Sequence, residues 1–303
     1  MRSTPVTAPV VAPAMPTPSP ALIAETARLI ASGLDRPSEN LKPLSLAVGS
    51  ASKIGPRQQN DDYAAYSTRR DLFAVADGIG GAPHGDVAAK TSANVAVVEF
   101  ECGLNIEEAL LAANDAVMEL SWWIKSRETG STLLLAARDD DDCPNRLDFA
   151  WAGDTVAFLL RDNSFSLITT PHRVEGSNAL TAAVGYDRAM PFDTASCELQ
   201  DGDRILMCTD GVWEQLEAPR LAELLATTDN APWIAESITR EAAEFGTDNA
   251  TAIVLIARSE ACEAAPATDE TAAFAPNAPC MPVPRTPTYP QSEHHDNRGP
   301  QGD

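Results

Sequence analysis

The sequence predicts an α+β fold built on antiparallel sheets, and three observations carry that prediction. Ten apolar runs of strand length fall between about residues 46 and 258, several alternating apolar with polar as half-buried strands do. Helical patterns come in pairs instead of one after each strand, which is unlike a parallel βαβ fold. Fourteen of the 23 prolines lie in residues 1–20 and 260–303, where Pro, Ala and polar residues show no periodicity and cannot bury enough surface to offset the entropy of ordering. The folded domain is therefore placed at 46–258, between an N-terminal extension (1–45) and a C-terminal tail (259–303), both expected to be largely disordered. Within the extension, "ALIAETARLIA" at 21–31 has a short amphipathic helical pattern.

Taken in order, strands are expected near 44–50, 62–67 and 72–77, the last being the continuous apolar run "LFAVAD". Helical spacing follows at 85–101 and 106–125. Strands resume at 130–137, 147–153, 155–161 and 164–169, with Asp139–Asp142 read as a solvated hairpin loop. Two more, at 194–199 and 204–209, precede helices near 219–226 and 231–244. A final long apolar strand, 250–257, closes the domain. No internal repeat is present.

Composition narrows the function. The 303 residues are 44% hydrophobic, enough for a core, and carry a formal charge of −22. Clustered Lys and Arg are needed to neutralise phosphates, so a broad nucleic-acid or anionic-lipid surface is excluded. The six cysteines form no CxxC pair, which speaks against a zinc knuckle, a redox motif or a dense disulfide framework. No Pro-free apolar run is long enough to cross a bilayer, and six prolines break any signal-like stretch in the first twenty residues. A cytoplasmic protein without membrane insertion is expected.

The chemistry is signalled by aspartates at strand ends. Asp77 closes "LFAVAD", Asp210 closes "ILMCTD", Asp154 closes "LDFAWAGD", and Asp248 opens "DNATAIVLIA". Taken singly, the Asp-Gly pairs Asp77-Gly78 and Asp210-Gly211 read as turns. If antiparallel strands bring these ends to one edge, however, several carboxylates converge, which is costly unless cations sit among them. With no HxH, HExxH or Cys pair, ligation by oxygen alone favours Mg²⁺ or Mn²⁺ over Zn²⁺. Such ions can activate water for in-line displacement at phosphorus, so metal-assisted phosphoester hydrolysis is the expected reaction class. Ahead of Asp61 and Asp62, in "GPRQQNDDY", Arg57 offers a fork for phosphate oxygens.

In order, "RQQNDD", "VADGIGG", "GST", "AGDT", "LTAAVG", "LQDGDRILMCTDGVWEQL" and "GTDNATAIVL" resemble the motifs of the metal-dependent serine/threonine phosphatases of the PPM family, type 2C, in their bacterial form. The resemblance spans nearly all of 50–257. It implies a sandwich of two antiparallel β-sheets flanked by pairs of antiparallel helices. It further implies that Asp77 bridges two metal ions, with the Gly78 carbonyl on one of them. Asp210 and Asp248 would hold the first ion and Asp61 the second, with Asp62 supporting the site directly or through water. Arg57 would bind the substrate phosphate, Asp154 would share a third, looser ion with Asp210, and Asn249 would sit behind Asp248. The partners implied are phosphorylated proteins, opposed to a serine/threonine kinase, with the phosphatase a monomer.

Three departures from the family pattern stand out. Val156 replaces the arginine of the usual GDSR. In "TTPHRVEGSNALTAAVG" Pro171 precedes His172, and only a short link to Leu180 remains where relatives carry a flap. Ile79 stands where eukaryotic relatives place a general-acid histidine; His84 is read as an exposed loop residue, and protonation of the leaving group is left to water. None of the cysteines has an Arg six positions on, "DGDRI" precedes its strand, and no GxSxG or Walker loop occurs, which excludes a Cys-based tyrosine phosphatase, a haloacid dehalogenase, a serine hydrolase and a P-loop NTPase. Two further readings stay open: a catalytically weak adaptor binding phosphoproteins, and a phosphatase of small molecules.

Overall fold

The computed structural model describes residues 43–79, 84–126, 128–138 and 143–259. The amphipathic pattern at 21–31, both Pro-rich tails and the Asp139–Asp142 run lie outside these residues. The described residues form ten strands: β1 (Ser45–Lys53), β2 (Asp62–Ser67), β3 (Leu72–Asp77), β4 (Leu133–Ala137), β5 (Arg146–Ala152), β6 (Val156–Arg161), β7 (Ser164–Leu167), β8 (Asp193–Glu198), β9 (Arg204–Cys208) and β10 (Ala250–Arg258). Five helices accompany them among the described residues: α1 (Gly85–Glu101), α2 (Ile106–Ile124), the single turn α3 (Asp210–Trp213), α4 (Ala218–Ala226) and α5 (Ala231–Phe245). The short α3 has no periodicity to reveal it and was not expected from the sequence.

The strands form two five-stranded sheets, ordered β1-β10-β9-β6-β7 and β2-β3-β4-β5-β8. Every neighbouring pair is antiparallel. The alternation of side chains across a strand explains the layering. In β3, Phe73 and Val75 face the opposite sheet, while Leu72, Ala74 and Ala76 face α1 and α2. In β10, Ile253 and Leu255 face inward, whereas Ala252, Val254 and Ile256 meet α4 and α5. Central strands buried on both faces read as unbroken apolar runs for this reason. The edge strands β7 and β8 are largely exposed.

Helix α1 presents Ala88, Ala89, Ala93 and Ala96 to the sheet, and these short side chains let its backbone sit close to the strands. Helix α2 begins at a capping box in which the Asn105 side chain accepts from Glu108 N–H while the Glu108 carboxylate accepts from Asn105 N–H; such a cap contributes about 1 kcal/mol. Among the described cysteines, Cys197 and Cys208 are free thiols and Cys102 is disulfide-bonded, a bridge that the cysteine spacing did not predict. No helix among the described residues is long and apolar enough to cross a membrane.

Candidate active site

The two sheets are joined by short crossovers, and these carry the polar residues to one edge. Residues 54–61 lead from β1 in one sheet to β2 in the other, Gly153–Thr155 lead from β5 to β6, and Thr209 leads from β9 into α3. Gly153 makes its crossover with φ of 113°, a conformation that costs glycine little. Asp77 at the end of β3 and Asp248 before β10 complete the set. As a result Arg57, Asp61, Asp77, Gly78, Asp154, Asp210 and Asp248 all line one cavity of about 250 Å³. These are seven of the eight residues singled out in the sequence, brought together from positions up to 191 apart.

Asp62 is the exception. It pairs in register with Asp77 across β2 and β3, is only 5% exposed, and turns behind the cavity wall, where Thr209 Oγ1 donates to its Oδ2 at 2.8 Å. It supports the wall from behind. Its burial, with Asp210 and Asp248 nearby, raises its pKa to about 7 even though the hydrogen bonds from Thr209 and Thr251 oppose the shift. Asp77 retains some surface toward the cavity, yet desolvation and then the charges of Asp62, Asp210 and Asp154 push its carboxyl well above the ordinary range. Asp210 rises to about 6, again chiefly through loss of solvent, with Asp154 adding to it and Arg173 opposing.

Backbone anchoring holds this wall in place. Thr132 grips Asp77 from both sides: its Oγ1 accepts from Asp77 N–H at 2.9 Å and its own N–H donates to the Asp77 carbonyl at 2.7 Å. Asn249, expected behind Asp248, stitches the 54–61 crossover to β10. Its Oδ1 accepts from Asp61 N–H at 2.9 Å and its Nδ2 donates to the carbonyls of Ile54 and Gln59 at 2.8 and 2.9 Å. The glycines after Asp77 and Asp210 are not turn residues, as the local reading had it, but close-approach residues. A Cβ on Gly78 would lie 2.2 Å from the Gly85 carbonyl oxygen, and one on Gly211 would lie 1.9 Å from that of Asn249.

Arg57 is half exposed and engages Asp248 at 2.5 Å, with its Nε donating to the Thr247 carbonyl at 2.9 Å. It is therefore at the cavity mouth but paired with a carboxylate. A second arginine, which the sequence reading did not single out, enters from the shortened 169–181 link. Arg173 bonds to Asp154, to Asp210 (2.7 Å) and to Glu214 of the segment after α3. Burial works against its charge, but the Glu214 and Asp154 pairs outweigh that and raise its pKa. His84 is exposed at the start of α1 and does not line the cavity. His172 bonds to Asp193 and stacks on Trp151 at 5.9 Å.

The donor set fits hard divalent cations. All the candidate ligands are carboxylate or carbonyl oxygens, and their mutual repulsion is what drives the Asp77 and Asp210 shifts beyond burial alone. Among the described residues, no three His, Cys, Asp or Glu side chains close on one point as a finished cage. Ions such as Mg²⁺, which keep several waters and take only one or two carboxylates, suit such a wall better than ions needing a complete protein shell.

A family model described as protein phosphatase 2C matches residues 51–247, well over half of the chain. The chain belongs to the protein phosphatase 2C family. The serine/threonine phosphatase stp of Listeria welshimeri is 22% identical over 239 residues, covering 67% of this chain and 92% of the relative. PstP of Mycobacterium tuberculosis is 27% identical over 239 residues, covering 70% of this chain and 45% of that longer protein. Among solved structures, PppA, described as a key regulatory component of T6SS in Pseudomonas aeruginosa, superposes with a TM-score of 0.63 at 25% identity, covering 71% of this chain and all of that one. The catalytic domain of PstP, solved in complex with 2 manganese ions, superposes with a TM-score of 0.62 at 24% identity over 71% of this chain and all of that domain. The phosphatase thus shares its two antiparallel sheets and surrounding helices with enzymes of this family, as the motifs predicted.

Proposed function

We propose that this phosphatase hydrolyses phosphoserine and phosphothreonine in proteins at a binuclear Mn²⁺ or Mg²⁺ site, without a covalent phosphoenzyme. One observation carries the reading: seven residues scattered over the sequence line a single cavity, and five of them are aspartates. The names of the relatives support the substrate class, and the manganese in the PstP structure supports the metal.

In this reading Asp77 would be shared by the two ions and the Gly78 carbonyl would help hold one of them, while Asp210 and Asp248 would hold the first ion and Asp61 the second. Bound there, the ions would lower the pKa of water to supply the nucleophile and would stabilise the charge on the phosphoryl oxygens. Arg57 leaves Asp248 and turns its guanidinium to the incoming phosphate, whose two oxygens match the fork. Thr132 and Asn249 keep Asp77 and Asp61 from drifting. No side chain of the wall is a suitable nucleophile, and neither described histidine faces the cavity, so water protonates the leaving alkoxide. Phosphorylated proteins made by a serine/threonine kinase are the expected substrates, met in the cytoplasm by a monomeric enzyme.

The test is Mn²⁺-dependent hydrolysis of an aryl phosphate and of phosphoserine, phosphothreonine and phosphotyrosine peptides, with D210A as the control. Turnover of serine and threonine peptides that requires Mn²⁺ and disappears in D210A is expected. No turnover above D210A would leave the adaptor reading, and rapid turnover of metabolite phosphates without peptides would leave the small-molecule one.

A further inference from the structure

The position between Asp154 and Asp210, which family resemblance assigns to a third ion, is taken by a side chain of the chain itself. Arg173 directs its Nε at Asp154, its Nη2 at Asp210 and its Nη1 at Glu214, so that each nitrogen of the guanidinium has its own carboxylate. The three acids come from three places: the β5–β6 crossover, the first residue of α3 and Glu214, the residue that follows the last of α3. The arginine side chain is only 13% exposed. Its guanidinium lies over Trp213 at 5.0 Å, and Trp213 is itself fixed by donating its indole N–H to the Asp154 carbonyl at 3.1 Å.

The backbone that delivers Arg173 is equally constrained. His172 N–H donates to the Gly153 carbonyl at 2.9 Å, and Gly153 N–H donates back to His172 Nδ1 at 3.2 Å. Thr181 N–H donates to the His172 carbonyl at 2.9 Å, and Trp151 donates to the Thr170 carbonyl at 2.9 Å. The short link is therefore a strut, fastened on both sides of Arg173, that ends in a cation.

We propose that Arg173 is a tethered cation standing in the place of a third divalent ion, so that this phosphatase loads two ions and not three; the proposal rests on the binuclear reading above. A guanidinium cannot lose its proton in a protein, and its tether gives it an effective concentration that a loosely held ion in solution does not match. A divalent ion entering between Asp154 and Asp210 would meet a like charge and would have to displace three ion pairs at once. Arg173 acts as a positioning residue: it orients Asp210 by holding Oδ2 and returns one positive charge to an acidic wall.

The experiment is equilibrium dialysis of the full chain against Mn²⁺ up to millimolar concentration, with bound metal counted per protein. The wild type binds two ions, R173Q binds a third, and R173K, which keeps the charge, returns to two. D154N in the wild-type background still binds two, because no ion depends on Asp154. A wild type that binds three, or an ion lost in D154N, overturns the proposal, as does R173Q remaining at two. If R173Q does not fold, the wild type and D154N decide. A wild type binding fewer than two ions overturns the binuclear reading itself, an outcome distinct from a wild type binding three.

Discussion

Asp62 and Asp77 stand opposite each other across the β2–β3 pair, one turned behind the wall toward Thr209 and the other set into the wall. Two carboxylates in this relation, with Asp210 and Asp248 close by, are each pushed toward the neutral form, Asp62 to about 7.

The first prediction follows from the sign of those shifts. Asp62 titrates near 3.8 when unfolded and near 7 when folded, so between these values the folded chain holds more protons and stability falls as pH rises. With chelator present, melting temperature should drop by about 5 °C or more between pH 5 and pH 8. Mn²⁺ should restore it, and restore more at pH 8 than at pH 5, because cations offset the charge that protons otherwise remove. Thermal melts across pH with and without Mn²⁺ check this; a chelated protein more stable at pH 8 than at pH 5 would count against it.

Asp77→Asn separates the two roles of that carboxylate. Removing a charge that desolvation and four acidic neighbours disfavour should raise the melting temperature of the chelated protein at pH 8. The same change should lower Mn²⁺-dependent kcat by at least about a thousandfold, roughly 4 kcal/mol in barrier. Stability and turnover moving together, in either direction, would contradict the assignment.

Arg57 reaches Asp248 at 2.5 Å and is half exposed at the cavity mouth. A charge-assisted hydrogen bond to phosphate is worth about 1.5–3 kcal/mol, so Arg57→Ala should raise KM for a phosphopeptide by about tenfold or more. Arg57→Lys should recover only part of this, since an ammonium lacks the fork. Steady-state kinetics on one phosphothreonine peptide would show the split; an unchanged KM would remove Arg57 from phosphate binding.

Asn249 satisfies one donor and two acceptors of the 54–61 crossover. Asn249→Ala should cost about 2–4 kcal/mol in urea unfolding, because the Asp61 N–H and two carbonyls lose their partner. It should also weaken Mn²⁺ binding, since Asp61 is no longer held. Calorimetric titration with Mn²⁺ checks the second effect; full affinity in the variant would show that Asp61 is positioned by other contacts.

Much of the fold was legible because it is written in short-range pattern. The double-sided burial of β3 and β10 produces unbroken apolar runs, the helical spacing of α1, α2, α4 and α5 appears within single windows, and carboxylates at strand ends mark where a chain leaves the core. The weak points were local as well: α3 is a single turn too short for periodicity, and the glycines after Asp77 and Asp210 looked like turn residues because close approach to Gly85 or Asn249 has no sequence neighbour to announce it.

By itself, then, the sequence determined the antiparallel α+β class, the aspartates at strand ends and the family motifs, all of which depend on residue type and spacing along the chain. Only the tertiary structure decided that Asp62 faces away while its neighbour Asp61 lines the cavity, and that Arg173 meets Asp154, Asp210 and Glu214 from 19, 37 and 41 residues away. Neighbouring residues in a strand point to opposite faces, and a partner across a sheet-to-sheet crossover is set by how two layers pack. Neither the layer contact nor the charge it brings together leaves a periodic trace in the chain.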